Sequence, residues 1–446
     1  MQSSEYSPRG KNAFETVASA SLILLPFEPT PEEHKHRLIG PNPNLNAPLE
    51  NLPPEIRRHL LSMMELQALK SLVHASPVIY QQYLVDQKWV LCRSLAATFR
   101  SNGLIYEVGA VYQSSRESFW ETRTAITVTR FVQAHRDGRS SSHNSPFSQS
   151  VAFNRDLTLD EVISMMKFYL SIIQPLKREY AKSTLHYLTG GLRTPYDQTS
   201  DILSETEEIR VVRALYRFQL CCNLFAHGHN GPILKRAPEF EARNVWELLQ
   251  LLFDPWEIEE IVCIHDFAMN TYRNLSPFDW NRHRLLPRKY HQQPVDWSQR
   301  LTDETRGIRF GTIARGLELL RDIVSPTYEN SNLIRTGLEN DIDTMEQAFA
   351  LGDAFSDFIK ERRYPEAPLY QTSMDAGCDR ITFQGDVVDD SEWKYPPLGW
   401  TLTWDGAHIA GFHCWLKHQM VAWGYVMWDA TRLISMGVKD LLESER

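Results

Sequence analysis

The sequence predicts a mainly α protein, with an N-terminal three-helix segment packed on a larger, irregular helical domain. Three observations carry this. Apolar residues recur at helical spacing along most of the chain. Two capping boxes, Thr158 with Glu161 and Ser204 with Glu207, open helical runs, and Asp254-Pro255-Trp256-Glu257 opens a third. Regular β-α alternation and Val/Ile/Thr-rich runs are lacking. The divisions this gives are a disordered segment at 1–48, a helical region at 49–100 and a helical C-terminal domain at 101–446 with a Trp-rich end.

The first 48 residues carry Pro8, Pro26, Pro29, Pro31, Pro41, Pro43 and Pro48 among Ser, Asn and charges, a loop-forming texture. Pro53-Pro54 then suits a first helical turn, because proline fixes φ and lacks an N–H that this turn does not need. Ile56, Leu60, Leu61 and Met64 follow at helical spacing, then Leu66, Leu69, Leu72 and Val73. Ser76-Pro77 breaks the pattern. A third run starts at Val78-Ile79 and is expected to continue through Trp89, Leu91, Leu95 and Phe99. Each of the three is too short to be stable alone in water.

Trp120 to Ala134 reads as a helix, and the Ser-rich stretch 135–150 as a loop and possible phosphorylation site. The capping boxes start helices over 159–170, expected to be kinked or ended by Pro175, and over 209–225. Asn244–Phe253 is a short helix, and the run from Asp254 reaches about Tyr272. The helices at 159–174, 209–225 and 257–272 are apolar on more than a narrow stripe, which predicts one shared core. Ile308–Val324 and Leu338–Ile359 are also expected as helices. Gly399–Trp404 alternates as an extended piece does, and a last helix is expected over Gln419–Ser435.

With 446 residues, 42% hydrophobic and 23% charged, the chain has the composition of an ordinary globular protein. A net charge of −9 excludes the broad basic surface that sequence-independent nucleic-acid binding needs. Cys92, Cys221, Cys222, Cys263, Cys378 and Cys414 form no CxxC pair, the pattern of buried thiols in a reducing compartment. Ala18–Phe27 is too short and too interrupted for a signal or a membrane span. The expectation is a cytoplasmic or nuclear protein with no membrane and no nucleic-acid partner.

Leu52-Pro53, Glu55-Ile56, Leu60, Met64 and the Leu66–Leu72 run resemble an F-box, the helical module that docks on the Skp adaptor of cullin-based ubiquitin ligases. Ala75-Ser76-Pro77 with Tyr80 and Tyr83, and the terminal stretch from Trp423 to Asp429, are similar to F-box-like proteins of filamentous fungi. In the third segment the chain reads HASPVIYQQY, where an F-box ordinarily carries a basic stretch with Trp. The resemblance implies a substrate-recognition adaptor that performs no covalent chemistry. It implies a Skp-type adaptor held by Leu52, Pro53, Ile56, Leu60, Leu61 and Leu69, with the rest of the chain capturing a target protein. The other reading is a helical interaction protein whose F-box-like helices pack on its own body.

Motifs for hydrolysis, phosphate cradling or zinc and calcium binding are absent from the sequence, and no catalytic residue, metal or cofactor is expected. His227 and His229 read as loop histidines near a helix end. His265-Asp266 are adjacent on a helix and do not face each other. Glu257, Glu259 and Glu260 read as complements to a helix N-terminus rather than metal ligands, and Asp386, Asp389, Asp390 and Glu392 as a solvated acidic loop. Trp400, Trp404, Trp415, Trp423 and Trp428 read as core aromatics rather than a ligand groove.

Overall fold

The computed structural model describes residues 48–100, 104–141, 157–192, 202–226, 240–274, 310, 313–324, 351–352, 354–355, 382–386, 395–404 and 420–438. Helices and no strands are found among them, as the sequence predicts. The chain divides into two units, residues 1–98 with 154–171, and residues 99–153 with 172–446.

The first unit opens with α1 (Pro54–Met63), α2 (Leu66–Ala75), α3 (Pro77–Val85) and α4 (Gln87–Arg100). The carbonyl of Pro53 accepts from the amides of Ile56 and Arg57, both at 3.0 Å, so the two prolines sit at the helix start. Ser76 ends α2 and caps α3. Its Oγ accepts from the amide of Ile79 and donates to the Glu50 carboxylate at 2.6 Å. The third apolar run does not continue as one helix. Asp86 interrupts it, and α3 and α4 are separate. Both α1 and α2 pack against α3. Ser94 Oγ donates to the carbonyl of Met64 at 2.5 Å, and Thr98 Oγ1 accepts from the amide of Leu66, so α4 seals the turn between α1 and α2. Leu61, Leu66, Leu69, Val73, Ile79, Tyr83, Leu91 and Leu95 are buried.

The second unit begins with α5 (Ile105–Ser115), α6 (Glu117–Thr122) and α7 (Ala125–Ser141). The stretch expected as a loop from 135 is therefore helical to Ser141, and the remainder of that loop lies outside the described residues. The expected helix from Trp120 is broken at Arg123-Thr124, where Arg123 turns inward to donate to the carbonyl of Asn223 at 2.8 Å.

The Thr158 capping box is formed and starts α8 (Leu159–Phe168), which belongs to the first unit. A π turn, Tyr169–Ile173, precedes α9 (Gln174–Leu192). Pro175 neither ends nor breaks the helical path. The widened turn before it accommodates the missing N–H and the ring. Gly190-Gly191, a pair that would ordinarily mark a loop, lies inside α9.

The Ser204 capping box is formed as well and starts α10 (Glu205–Phe225), the centre of the second unit. Every residue from Ile209 to Phe225 is buried, with α5, α9 and α12 (Pro255–Asn274) packed around the helix. Between them in sequence, α11 (Ala242–Leu252) packs on α7 and α12. Thus α10 and α12 share a core as expected, while α8 falls in the other unit. The helix expected over Ile308–Val324 is interrupted at 314–316: Phe310 and Ile313 are helical before the break, and α13 (Leu317–Val324) follows it. Gly316 precedes it at φ +91°, pressed against the Gln219 amide, and Gln219 Oε1 accepts from the amide of Leu317 at 2.7 Å.

Gly399–Trp404 is helical, within α14 (Leu398–Trp404), and not extended. The Trp-Thr-Leu-Thr-Trp alternation also places its two indoles at i and i+4, and they stack at 6.2 Å. The last expected helix is interrupted. Gly424 adopts φ +69° with no room for a Cβ beside the Tyr180 hydroxyl, and α15 (Ala430–Ser435) begins after Asp429. Trp400, Trp404 and Trp428 are fully buried core residues, as expected. Ser21–Phe27, His227, His229, Asp389, Asp390, Glu392, Trp415, Cys378, Cys414 and most of Leu338–Ile359 lie outside the described residues.

The all-round burial of α10 leads to a first prediction. Leu215→Ala is expected to cost about 2–5 kcal/mol of unfolding free energy, read from urea denaturation of the two proteins.

Candidate functional site

Two arrangements of side chains stand out, one turned outward on the first unit and one buried in the second. On α1, Ile56, Leu60 and Met63 lie at i, i+4 and i+7 on one side of the helix. Ile56 is 50% and Met63 64% exposed, and Leu60 is half-buried, while Leu61 behind them is 0% exposed. Leu84 and Val85 at the end of α3 and Trp89 at the start of α4 are also exposed. Among the described residues ten large apolar side chains are exposed, and six of them fall between Leu49 and Trp89. Scattered apolar exposure is ordinary, but its concentration on one unit is not.

A polar feature lies elsewhere on this unit, since Arg58, two residues from both Ile56 and Leu60, leaves α1 on the side opposite the stripe. The Arg58 guanidinium lies over the Trp89 indole, 4.3 Å from the ring centre, and its Nε is 3.3 Å from Asp86 Oδ1. Gln82 Nε2 in turn donates to Asp86 Oδ2 at 3.0 Å. Glu55, Arg58, His59 and Trp89 line a shallow groove of about 390 Å³.

The structure divides the six residues assigned to a partner. Pro53 and Ile56 are exposed, Leu52 and Leu60 are half-buried, and Leu61 and Leu69 are fully buried inside the chain. The first four reach the surface. The last two contribute to the packing beneath it.

The buried arrangement follows α10. Glu207, Arg210, Arg213 and Arg217 repeat at intervals of three and four, so they share a face. All four are buried, and each guanidinium meets carboxylates. Arg213 holds Glu260 through two hydrogen bonds, of 2.6 and 3.2 Å. Arg217 donates to Glu107 of α5 at 2.9 and 3.1 Å and pairs with Glu257 at 2.8 Å. Arg139, near the end of α7, donates to both oxygens of Glu257 and to the carbonyl of Leu252. Arg210 bridges Asp386 at 2.5 Å and Asp429 at 2.7 Å. Asp429 also accepts from the hydroxyls of Ser204 and Thr206, and Glu207 accepts from Arg432 and from the amide of Asp429.

Asp386, expected in a solvated acidic loop, is therefore ion-paired to a buried guanidinium. Glu257 and Glu260 do more than complement a helix N-terminus, since they are the counter-ions of Arg217 and Arg213. Burial alone would raise the Glu107 and Glu257 carboxyls. The surrounding guanidiniums outweigh it, Arg217 and then Arg139 for Glu107, Arg139 and then Arg217 for Glu257, so both are held below the ordinary carboxylate range. The sequence signal for this ladder is present but easily missed. It is a row of arginines at helical spacing inside a run that is otherwise apolar on all sides.

Nothing in the ladder has a reacting geometry. Its carboxylates are taken up by guanidiniums, hydroxyls and amides, and among the described residues no three His, Cys, Asp or Glu side chains could hold a metal ion. His265 and Asp266 do not act together. Asp266 accepts from Asn270, while the His265 imidazole is surrounded by Phe218, Phe310 and Phe355, and neither ring nitrogen has a hydrogen-bond partner among the described residues. Burial pushes its pKa down to about 4. The four described cysteines are buried, and no described helix is long and apolar enough to cross a membrane. No protein-family model matches the chain, and no curated protein or solved structure matches it either.

Two predictions follow from these geometries. Arg217→Met leaves Glu107 and Glu257 buried with one cation fewer, and is expected to cost about 3–5 kcal/mol in denaturant unfolding. His265 has a folded-state pKa near 4 against 6.5 when unfolded, so acid protonates the unfolded chain first. Stability is complete above pH 6.5 and falls as the pH drops towards 4, by up to about 1.4 kcal/mol per pH unit. Between pH 5 and 6.5 the half-buried His135, also pushed down to about 4, gives a slope of the same sign and Asp254, raised to about 6 by burial, one of the opposite sign, so His265→Leu is expected to lower the measured slope by up to about 1.4 kcal/mol per pH unit in pH-resolved urea unfolding.

Proposed function

We propose that this chain is a protein–protein interaction adaptor, acting in the cytoplasm or nucleus, whose first unit docks on a Skp-type adaptor of a ubiquitin ligase. Its second unit then captures a target protein and brings it to the ligase-bound ubiquitin carrier, so that catalysis by others is raised through effective concentration. The observation that supports this reading is the concentration of outward apolar side chains on α1, α3 and α4, with Ile56, Leu60 and Met63 forming a continuous stripe about 10 Å long. In this reading Leu52, Pro53, Ile56 and Leu60 touch the partner, and Leu61 and Leu69 hold α1 and α2 in place beneath them.

The complete burial of Leu61 and Leu69 also favours a second reading, in which these helices serve only as the protein's own core. Capture of a recombinant Skp-type adaptor separates the two. Wild-type chain is expected to retain it, and both Ile56→Asp/Met63→Asp and Leu52→Ala/Pro53→Ala are expected to weaken capture about tenfold or more while remaining folded. Equal capture by the variants places the contact elsewhere, and no capture by the wild type leaves the second reading standing.

A further inference from the structure

The outward stripe on α1 has a counterpart in the chain's own sequence. Leu22-Ile23-Leu24-Leu25-Pro26-Phe27 is the longest apolar run of the first 48 residues, and the proposed function leaves it unused. Pro26 disfavours helical backbone at Leu25 and so favours an extended one. Extended backbone turns alternate side chains to one side, so in that form Ile23, Leu25 and Phe27 line one edge over about 13 Å. The stripe of Ile56, Leu60 and Met63 is about 10 Å long. The chain also enters the described residues beside this helix. Arg57, three residues before Leu60, flanks the stripe, and its guanidinium donates to the carbonyl of Glu50 at 2.8 Å. The Glu50 carboxylate accepts from Ser76. Twenty-one residues, 28–48, separate Phe27 from Leu49. Fully extended they reach up to about 70 Å, several times the length of α1, about 15 Å.

We propose that Leu22–Phe27 is an internal ligand of the stripe, covering Ile56, Leu60 and Met63 in competition with the partner. The inference rests on the docking role given to the first unit. A segment tied to its own site by a linker of this length meets it at an effective concentration of about a millimolar, so weak contacts suffice to occupy it. The contact removes two apolar surfaces from water at once, since Ile56 and Met63 are otherwise 50% and 64% exposed. A partner binds only the uncovered fraction of the chains. When about nine-tenths are covered, its apparent affinity falls about tenfold.

The test uses the full chain with the photoreactive p-benzoylphenylalanine in place of Leu25, irradiated and digested, with the cross-linked peptides identified by mass spectrometry. A cross-link to α1 of the same chain is expected, and Ile56→Asp/Met63→Asp is expected to lose it. Cross-links confined to other parts of the chain, or to a second copy, overturn the proposal. A second arm measures capture of a recombinant Skp-type adaptor by the otherwise unmodified full chain. Ile23→Asp/Leu25→Asp is expected to hold the adaptor about tenfold more tightly than the wild type does. Equal capture by the two overturns the inference while the docking role stands. A cross-link to α1 in a chain that captures no adaptor, with or without the two aspartates, upholds the internal contact and removes the adaptor reading instead.

Discussion

Burying three guanidiniums along one helix is possible only if carboxylates meet each of them, and this requirement governs the second unit. Taking an ion out of water costs several kcal/mol, recovered only with good geometry and satisfied hydrogen bonds. Arg210, Arg213 and Arg217 obtain this from four directions: α5 through Glu107, α12 through Glu257 and Glu260, and the segments at Asp386 and Asp429. An apolar helix face tolerates a sliding neighbour, since one leucine is much like another. A ladder of forked ion pairs does not, because a shift along the helix leaves a guanidinium at one end of the row and a carboxylate at the other buried without a partner. The ladder therefore fixes the rotation and register of α12 and α5 on α10. Lysine would not serve as well, lacking the planar fork that lets Arg217 meet Glu107 and Glu257 together.

Much of the fold was legible because local chemistry and tertiary structure agree. Thr158, Ser204 and Pro53-Pro54 mark helix starts by satisfying or not requiring the first amides, and each begins where its residues require. Legibility failed where two patterns coincide or where a glycine decides. Trp400-Thr401-Leu402-Thr403-Trp404 alternates with period two and also spaces its indoles by four, so periodicity alone does not separate strand from helix. Gly424 looks like an ordinary member of a helical run, yet its positive φ ends the run at a place fixed by Tyr180, far away in sequence.

The candidate site shows a similar division. The sequence identifies Ile56, Leu60 and Leu61 as apolar and helical, but cannot say which looks inward. On a helix those positions span enough of the circumference for either side to be buried. Ser62, a polar residue, shares the inner side with Leu61, and Met63 does not. Hydrophobicity ranks residues by their tendency to avoid water. A binding face inverts that ranking, and this inversion becomes visible only with coordinates. The buried ladder is inverted in the other sense, with charge where oil is expected, so both arrangements run against the binary pattern that makes the rest of the chain readable.

The ladder also carries a history in time. Glu107 is already made when Arg217 is polymerised, and Glu260 follows Arg213 by 47 residues, but Asp429 follows Arg210 by 219. At synthesis rates of roughly 5–20 residues per second, that last gap lasts roughly 10–40 s. For the first 176 residues of that gap, until Asp386 is made, the guanidinium near the N-terminal end of α10 has neither of its two counter-ions, and water must keep it company. The charges along the central helix of the second unit are thus balanced from its C-terminal end backwards, against the direction in which the ribosome delivers it.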